Sequence, residues 1–173
     1  MSTYQGRKTA VKGQGFTIIE VMIVLAIAGL ILLIVFLAVP ALQRNARNTQ
    51  RKEDAAALLA AVNEYANNNG GVMPTSIVTP VVAPNVTVGT SGAQSLAKVG
   101  YYTTNGAVAG GIQFYSTYTA TATPANAAID SVVIETGTTC TNATTPAQGS
   151  ARQVVAVYGL ETANGYTWNC QGS

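Results

Sequence analysis

A long apolar run near the amino terminus constrains this chain more than any other feature. Residues 16–42 contain one charged side chain, Glu20. As an α-helix the run would be about 40 Å long, whereas a hydrocarbon core of about 30 Å needs roughly 20 residues. The run therefore predicts a helix that spans a membrane.

A cleaved secretory signal is the competing interpretation of this run. Such a signal has an apolar region of about 7–15 residues followed by a small-x-small cleavage site. Here the run is longer, and its Ala26-Ile27-Ala28 sequence lies in the middle rather than at the far end. The length of the run thus favours a span that is retained.

Basic residues flank the apolar run on both sides. They fit the edges of a bilayer better than one face of a nucleic-acid-binding domain, but their numbers do not decide the orientation of the span. Three precede the run and four follow it, namely Arg7, Lys8, Lys12, Arg44, Arg47, Arg51 and Lys52. We interpret the second group, which we call the basic cluster, as a contact with lipid headgroups.

Glu20 is the residue of the run that needs an explanation. An ionised group inside a bilayer is costly and usually faces a partner. Near the helix start it could instead reach the interface and complement the helix dipole. A cation at the same depth would require a new amino terminus just before Phe16, because no Lys, Arg or His lies between Lys12 and Arg44.

The sequence KGQGFTIIEVMIVLAIAGLI around these residues resembles the class III signal of type IV pilins and pseudopilins. The resemblance implies that a membrane prepilin peptidase cuts between Gly15 and Phe16 on the cytoplasmic side and N-methylates Phe16. It also implies that the leader stays inside the cell while the rest of the chain lies outside. In a filament, the Phe16 amine of one subunit would then pair with Glu20 of a neighbour.

The resemblance also has an implication for two further residues of the run, Gly29 and Pro40. In the family, a glycine and a following proline bracket a region that can lose helicity on assembly. Gly29 matches that glycine, and Pro40 stands three residues later than the proline of the best-known members. We therefore expect Gly29 and Pro40 to be sites of helix flexibility.

The chain after the run predicts a continued helix and then a β domain. Ala55, Leu58, Val62 and Tyr65 recur on one helix face, and Gly70 is a candidate C-terminal cap. The predicted organisation is a leader (1–15), a transmembrane or filament-core helix (16–42), an amphipathic continuation (43–70) and a globular domain (71–173).

The globular domain is predicted from β-branched and aromatic runs. Residues 72–92 indicate an extended connector, and residues 93–103 a short helix or turn. Four strands are expected at 111–119, 131–136, 153–160 and 165–170, paired antiparallel, with ETANG as a hairpin loop. The fold class is thus α+β and pilin-like, with Trp168 and the tyrosines covering the helix face and with Thr-rich loops between strands.

Cys140 and Cys170 are the only two cysteines. Beside an export signal, an even count favours one disulfide, although a pair of free buried thiols is the alternative. The pilin family often carries a disulfide loop near the C-terminus, which agrees with a pair at these positions.

The chain offers little catalytic chemistry. It has no histidine, and its few carboxylates are scattered, so we expect no enzyme activity, no metal site and no cofactor. A DNA-binding role for Lys98, Arg152 and the tyrosines ranks low, because two cations make few phosphate contacts.

The resulting prediction is a structural subunit of a type IV pilus for adhesion, motility or DNA uptake. Its partners would be copies of itself, the prepilin peptidase, the assembly platform with its ATPases, the cytoplasmic membrane, and a host or neighbouring-cell surface. It would lie in the cytoplasmic membrane before assembly and in the extracellular filament afterwards. The alternatives are a minor pilin or pseudopilin of a secretion or competence system, and a single-pass membrane-anchored binding protein.

Overall fold

We describe the protein from a computed structural model of the full chain. The residues described are 15–78, 85–90, 92–100, 102, 111–119 and 131–172. Residues 1–14 of the expected leader lie outside this set. The chain divides into two compact units, one up to Ala41 and one from Leu42 onward, and helix α1 (Ile18–Asn68) contributes to both.

The first unit consists of the apolar half of α1. An 18-residue window of this helix has a mean hydropathy of 3.3, and none of that window is buried. By length and composition, α1 is therefore long and apolar enough to cross a membrane.

Among the described residues, the second unit combines the remainder of α1 with nine strands. The strands are β1 (Ile77–Val78), β2 (Asn85–Val88), β3 (Ser95–Lys98), β4 (Ile112–Tyr115), β5 (Val132–Thr136), β6 (Thr138–Cys140), β7 (Pro146–Gln148), β8 (Val154–Thr162) and β9 (Gly165–Gly172). They form a sheet of order β1-β2-β3, a sheet of order β4-β5-β8-β9 and the two-stranded sheet β6-β7. The α+β, pilin-like fold class is confirmed.

The four strands expected from the sequence are β4, β5, β8 and β9, but one of their pairings differs from the prediction. Strand β4 runs parallel to β5, whereas β5–β8 and β8–β9 are antiparallel. Residues 116–131 separate β4 from β5, which is long enough for the crossover that parallel strands need. The ETANG loop does join β8 to β9 as a hairpin, with Thr162 opposite Gly165.

Three segments that the sequence indicated as a connector, a turn and a loop contain strands. The connector 72–92 includes β1 and β2, and the segment 93–103, expected to be a helix or turn, contains β3, with Tyr102 helical after it. The Thr-rich loop after β5 forms the β6–β7 hairpin. These strands have two to four residues each, too few for a β pattern to stand out from turn-forming composition.

The main core lies between α1 and the two larger sheets. The predicted helix face is buried there, with Ala55, Leu58 and Val62 fully covered and Tyr65 nearly so. Sheet residues that pack against this face include Val86, Val88, Val132, Ile134, Val154, Ala156 and Tyr158. A second cluster of Val133, Val155, Val157 and Cys170, with Cys140 against it, forms separately, as expected for side chains that alternate between the faces of a sheet.

Backbone conformation and close packing fix the end of α1. Gly70 has a φ of 66°, and the N–H of Gly71 donates to the Ala66 carbonyl at 2.7 Å, so the predicted glycine cap is confirmed. At Gly89, where φ is 86°, an added Cβ would lie 2.1 Å from the Tyr65 ring. Only glycine therefore fits between β2 and the end of the helix.

The prediction that Trp168 and the tyrosines cover the helix face is correct for two tyrosines and wrong for Trp168. Tyr102 and Tyr158 belong to the core cluster against α1. Trp168 instead packs edge-on against Tyr166, with ring centroids 5.3 Å apart, and Tyr166 is exposed. Tyr166 and Trp168 are two residues apart in β9, so they share one face of the strand, and it is the face that also carries Cys170 of the second cluster.

Candidate functional site

The start of α1 is organised by a side-chain cap. The Thr17 hydroxyl accepts a hydrogen bond from the Glu20 backbone N–H at 3.3 Å. In return, the Glu20 carboxylate accepts bonds from the Thr17 backbone N–H at 3.4 Å and from its hydroxyl at 3.3 Å. This reciprocal arrangement is a capping box of the Thr-x-x-Glu type, and it satisfies donors that a helix start leaves without partners.

The capping box gives Glu20 a defined place in the separate subunit. Its carboxylate lies in the first turn of α1, where the helix dipole favours negative charge. Phe16 directly precedes the cap and is 86% exposed. The first turn of α1 thus carries a carboxylate, and the expected cleavage point between Gly15 and Phe16 lies just before this turn.

The rest of the apolar run is an uncovered surface. Every residue from 16 to 40 is exposed. A continuous apolar surface of this size needs lipid or other protein to cover it. Gly29 and Pro40 both lie inside the uninterrupted helix, so the expected loss of helicity at these residues concerns an assembled state and stays a prediction.

The basic cluster does not behave as predicted. Arg51 is 1% exposed and its guanidinium contacts the Glu161 carboxylate at 2.8 Å. Arg47 pairs through two nitrogens with the same carboxylate. Interpreting these two arginines as headgroup contacts was wrong, because an acid more than a hundred residues later in the chain binds both.

Asn48 completes this network by pairing with the backbone of β8. Its Nδ2 donates to the Glu161 carbonyl at 2.9 Å, and its Oδ1 accepts from the Glu161 N–H at 2.8 Å. The side-chain amide thus occupies the place of a neighbouring strand at the end of β8. Arg51 also donates to Asn48 Oδ1 at 3.1 Å, which ties the amide to the ion pair.

The electrostatics of this network are dominated by its two cations. The hydrogen bond from Arg47 lowers the pKa of Glu161 to about 2; burial opposes this effect, and Arg51 adds to it. The carboxylate is therefore ionised throughout the physiological range. The network fixes the β8–β9 hairpin to α1 a few residues after the apolar run ends.

The disulfide expected from the cysteine count is present. Cys140 at the end of β6 is bonded to Cys170 in β9, and the two Cα atoms are 5.9 Å apart. The Cys170 N–H also donates to the Ala143 carbonyl. The loop between β6 and β7 is thereby held against the last strand by one covalent bond and one hydrogen bond.

Lys98 and Arg152, the remaining cations named as candidates, are carried by different elements of the chain. Lys98 is exposed in β3, while the Arg152 guanidinium lies against Gly71 beyond the end of α1. Across the described ranges, no group of three His, Cys, Asp or Glu side chains could hold a metal ion.

Comparison with known proteins identifies the first part of the chain. Residues 12–36 match the family model of the prokaryotic N-terminal methylation motif. This motif is the class III signal peptide of type IV pilins and pseudopilins, so the resemblance noted in the sequence is confirmed. No curated protein and no solved structure gives a significant match to the chain.

The match defines a coarse class. The motif supports a pilin-like or pseudopilin protein, and it points to a structural subunit rather than an enzyme. It implies processing by a prepilin peptidase and assembly into pili, and together with α1 it fits membrane anchoring before assembly.

Two parts of the site were missed by sequence reasoning. The spacing of Thr17 and Glu20 is a recognised capping signal and could have been found. The contacts of Asn48 and Arg51 with Glu161 join parts of the chain that are far apart in sequence, and no local pattern indicates them.

Proposed function

We propose that this chain is the subunit of a type IV pilus filament. The observation that carries the proposal is the methylation motif over residues 12–36, which leads directly into an apolar helix with Glu20 in its first turn. Cleavage after Gly15 would free the amine of Phe16, which then becomes N-methylated. The leader (1–15) would remain in the cytoplasm and the globular domain (71–173) would lie outside.

Glu20 supplies the specificity of assembly in this proposal. In an apolar filament core, an isolated carboxylate and an isolated methylammonium are both costly. Pairing the Phe16 amine of one subunit with Glu20 of another removes both costs only at the correct axial register. Residues 16–42 would move from lipid into the core of the filament, with Gly29 and Pro40 allowing the helix to adapt.

The capping box provides a sharp way to test this role. Glu20→Gln keeps a residue type that the capping box accepts but removes the charge. Thr17→Val removes the capping hydroxyl and leaves the charge, at a cost of about 1 kcal/mol to the helix start. We expect Glu20→Gln to reach the membrane yet lose sheared surface filaments, and Thr17→Val to keep them.

The assay measures the subunit in sheared filaments relative to its amount in membranes. Wild-type filament yield from Glu20→Gln would contradict the assembly role of the charge. Loss of filaments in Thr17→Val alone would show that the cap matters and the charge does not.

The same measurement separates the roles that share this motif. A subunit that dominates the sheared filaments is a major pilin, with adhesion, motility or DNA uptake as its use. A subunit found in membranes and only in traces in filaments is a minor pilin or a pseudopilin, and a membrane-anchored binding protein would be absent from filaments altogether.

A further inference from the structure

We propose that Asn142 is the acceptor of an N-linked glycan. The proposal rests on the proposed function in one respect, namely that the globular domain is exported. Asn142-Ala143-Thr144 is an Asn-x-Thr acceptor sequence in which the middle residue is not proline. The chain contains a second such sequence, Asn85-Val86-Thr87. The first lies in an exposed loop and the second in a strand.

The loop that carries Asn142 is accessible and held in place. Residues 141–145, between β6 and β7, are all exposed. The Thr141 N–H donates to the Thr145 carbonyl at 3.0 Å across the base of the loop, and the Cys140–Cys170 bond fixes its first strand. An acceptor side chain at this position is presented on the surface without unfolding of the domain.

The geometry within the acceptor sequence suits the transfer chemistry. The Thr144 hydroxyl donates to Asn142 Oδ1 at 2.9 Å, and the Thr144 N–H donates to the same oxygen at 2.8 Å. Two donors on Oδ1 stabilise the negative charge that develops on the amide when Nδ2 loses a proton. In the described part of the chain, Nδ2 itself has no hydrogen-bond partner, so it is free to react.

The co-reactants are a polyprenyl-diphosphate-linked oligosaccharide and a membrane-bound transferase. Nδ2 attacks the anomeric carbon C1 of the first sugar, and the N–C1 bond forms as the C1–O bond to the diphosphate breaks. The electron pair leaves with the polyprenyl diphosphate, and the amide proton passes to a carboxylate of the transferase. The products are the N-glycosylated chain and the free lipid diphosphate.

The second acceptor sequence provides an internal contrast. Asn85, Val86 and Thr87 lie in β2, the central strand of its sheet, with Asn85 opposite Lys98 and Thr87 opposite both Val78 and Leu96. Val86 is fully buried. The strand geometry leaves no bond between the Thr87 hydroxyl and Asn85 in the described structure, and the ladder fixes the backbone. We therefore infer modification at Asn142 and none at Asn85.

The distribution of basic residues allows one digest to test both sites. Trypsin cuts after Lys52, Lys98 and Arg152, so Asn85 falls in peptide 53–98 and Asn142 in peptide 99–152. The full chain is isolated from the cells that naturally produce it, and is reduced and alkylated to separate Cys140 from Cys170. Mass spectrometry with sugar-specific fragment ions then locates any glycan.

The expected result is a glycan on Asn142 in peptide 99–152 and an unmodified peptide 53–98. Asn142→Gln and Thr144→Val abolish the glycan, while Thr144→Ser, which restores the hydroxyl, and Asn85→Gln keep it. The changes at Asn142 and Thr144 lie in an exposed loop and Asn85 is an exposed residue of β2, so the variants are recovered as folded chains.

Three results would overturn the proposal. They are an unmodified Asn142, a glycan on Asn85, and a glycan that persists in Asn142→Gln because it is attached to a neighbouring threonine. The amino-terminal peptide in the same digest, 16–44 or 13–44, reports leader cleavage independently. An intact leader would refute the proposed function, whereas an unmodified Asn142 refutes the glycan proposal whatever the state of the leader.

Discussion

Replacing Glu161 with glutamine tests whether the Arg47–Asn48–Arg51–Glu161 network stabilises the globular domain. The substitution keeps the shape of the side chain but removes the charge that contacts both guanidinium groups. Arg51 is 1% exposed, so its charge would stay buried without this carboxylate. Breaking a buried pair by removing one partner is strongly destabilising.

The magnitude follows from the pKa of Glu161. Lowering this pKa from 4.5 to about 2 corresponds to a ceiling of about 3 kcal/mol in the free energy of unfolding at pH 7. Arg47 is 43% exposed, and solvent screens its share of the interaction. We therefore expect Glu161→Gln to lose about 2 kcal/mol at pH 7.

The sign of the pH dependence is a further test. Because the pKa of the folded carboxyl is lowered, its contribution is complete above the unfolded value of 4.5 and is lost as pH falls towards about 2. The difference between wild type and Glu161→Gln should therefore shrink as the pH falls from about 5 to 2. If the contact depended on side-chain shape alone, the difference in free energy of unfolding between wild type and Glu161→Gln would not change with pH.

The assay is urea unfolding of the full chain in detergent micelles, followed by the fluorescence of Trp168. This is the only tryptophan, and it lies in the β8–β9 hairpin that the network holds. Glu53→Gln is the matched control, because Glu53 is an exposed acid on the same helix. A loss below about 0.5 kcal/mol for Glu161→Gln, equal to that of a surface substitution, would refute the reasoning.

Three other substitutions test the core, the helix end and the disulfide by the same unfolding measurement. Leu58→Ala, at a fully buried position, should cost about 2–5 kcal/mol, and a loss below 1 kcal/mol would contradict the packing of α1 on the sheets. Gly89→Ala should destabilise the domain, because a Cβ there meets the Tyr65 ring and the φ is positive; the exposed Gly165→Ala, also at positive φ but with open space, serves as its comparison. Cys140→Ser should lose about 3 kcal/mol through the 30-residue separation of the pair, and wild-type stability in that variant would show that the disulfide contributes nothing.

The helix and the four main strands were predictable because their patterns are long or strongly apolar. Ala55, Leu58, Val62 and Tyr65 recur at helical spacing over about three turns, and β8 begins with a run of valines interrupted only by Ala156. Because long hydrophobic patterns reflect which side chains are buried, they indicate the type of secondary structure in the folded domain.

Strand β3 was not predictable for a further reason, because its hydrophobic pattern contradicts its burial. In β3 the small Ser95 and Ala97 face the core, while Leu96 is 66% exposed. A hydrophobicity pattern would place Leu96 inside. The burial of Ser95 and Ala97 is set by packing that exists only in the folded domain.

The candidate site was predicted in part, for a related reason. Glu20 is conspicuous because an acid in an apolar run has few explanations. Asn48 and Glu161 are ordinary polar residues in sequence, and only their meeting across the fold gives them a role. Arg51 was placed at the membrane edge because its neighbours are basic, whereas its partner lies in β8.

The mass of the amino-terminal peptide from sheared surface filaments tests the central claim most directly. A processed subunit gives tryptic peptide 16–44, beginning with an N-methylated Phe16, because Arg44 is the first basic residue after the cleavage point. Recovery of this methylated peptide as a main component of the filaments is the predicted result. Filaments that lack the chain, or a chain that retains peptide 13–44 with Gly15 still joined to Phe16, would contradict the account.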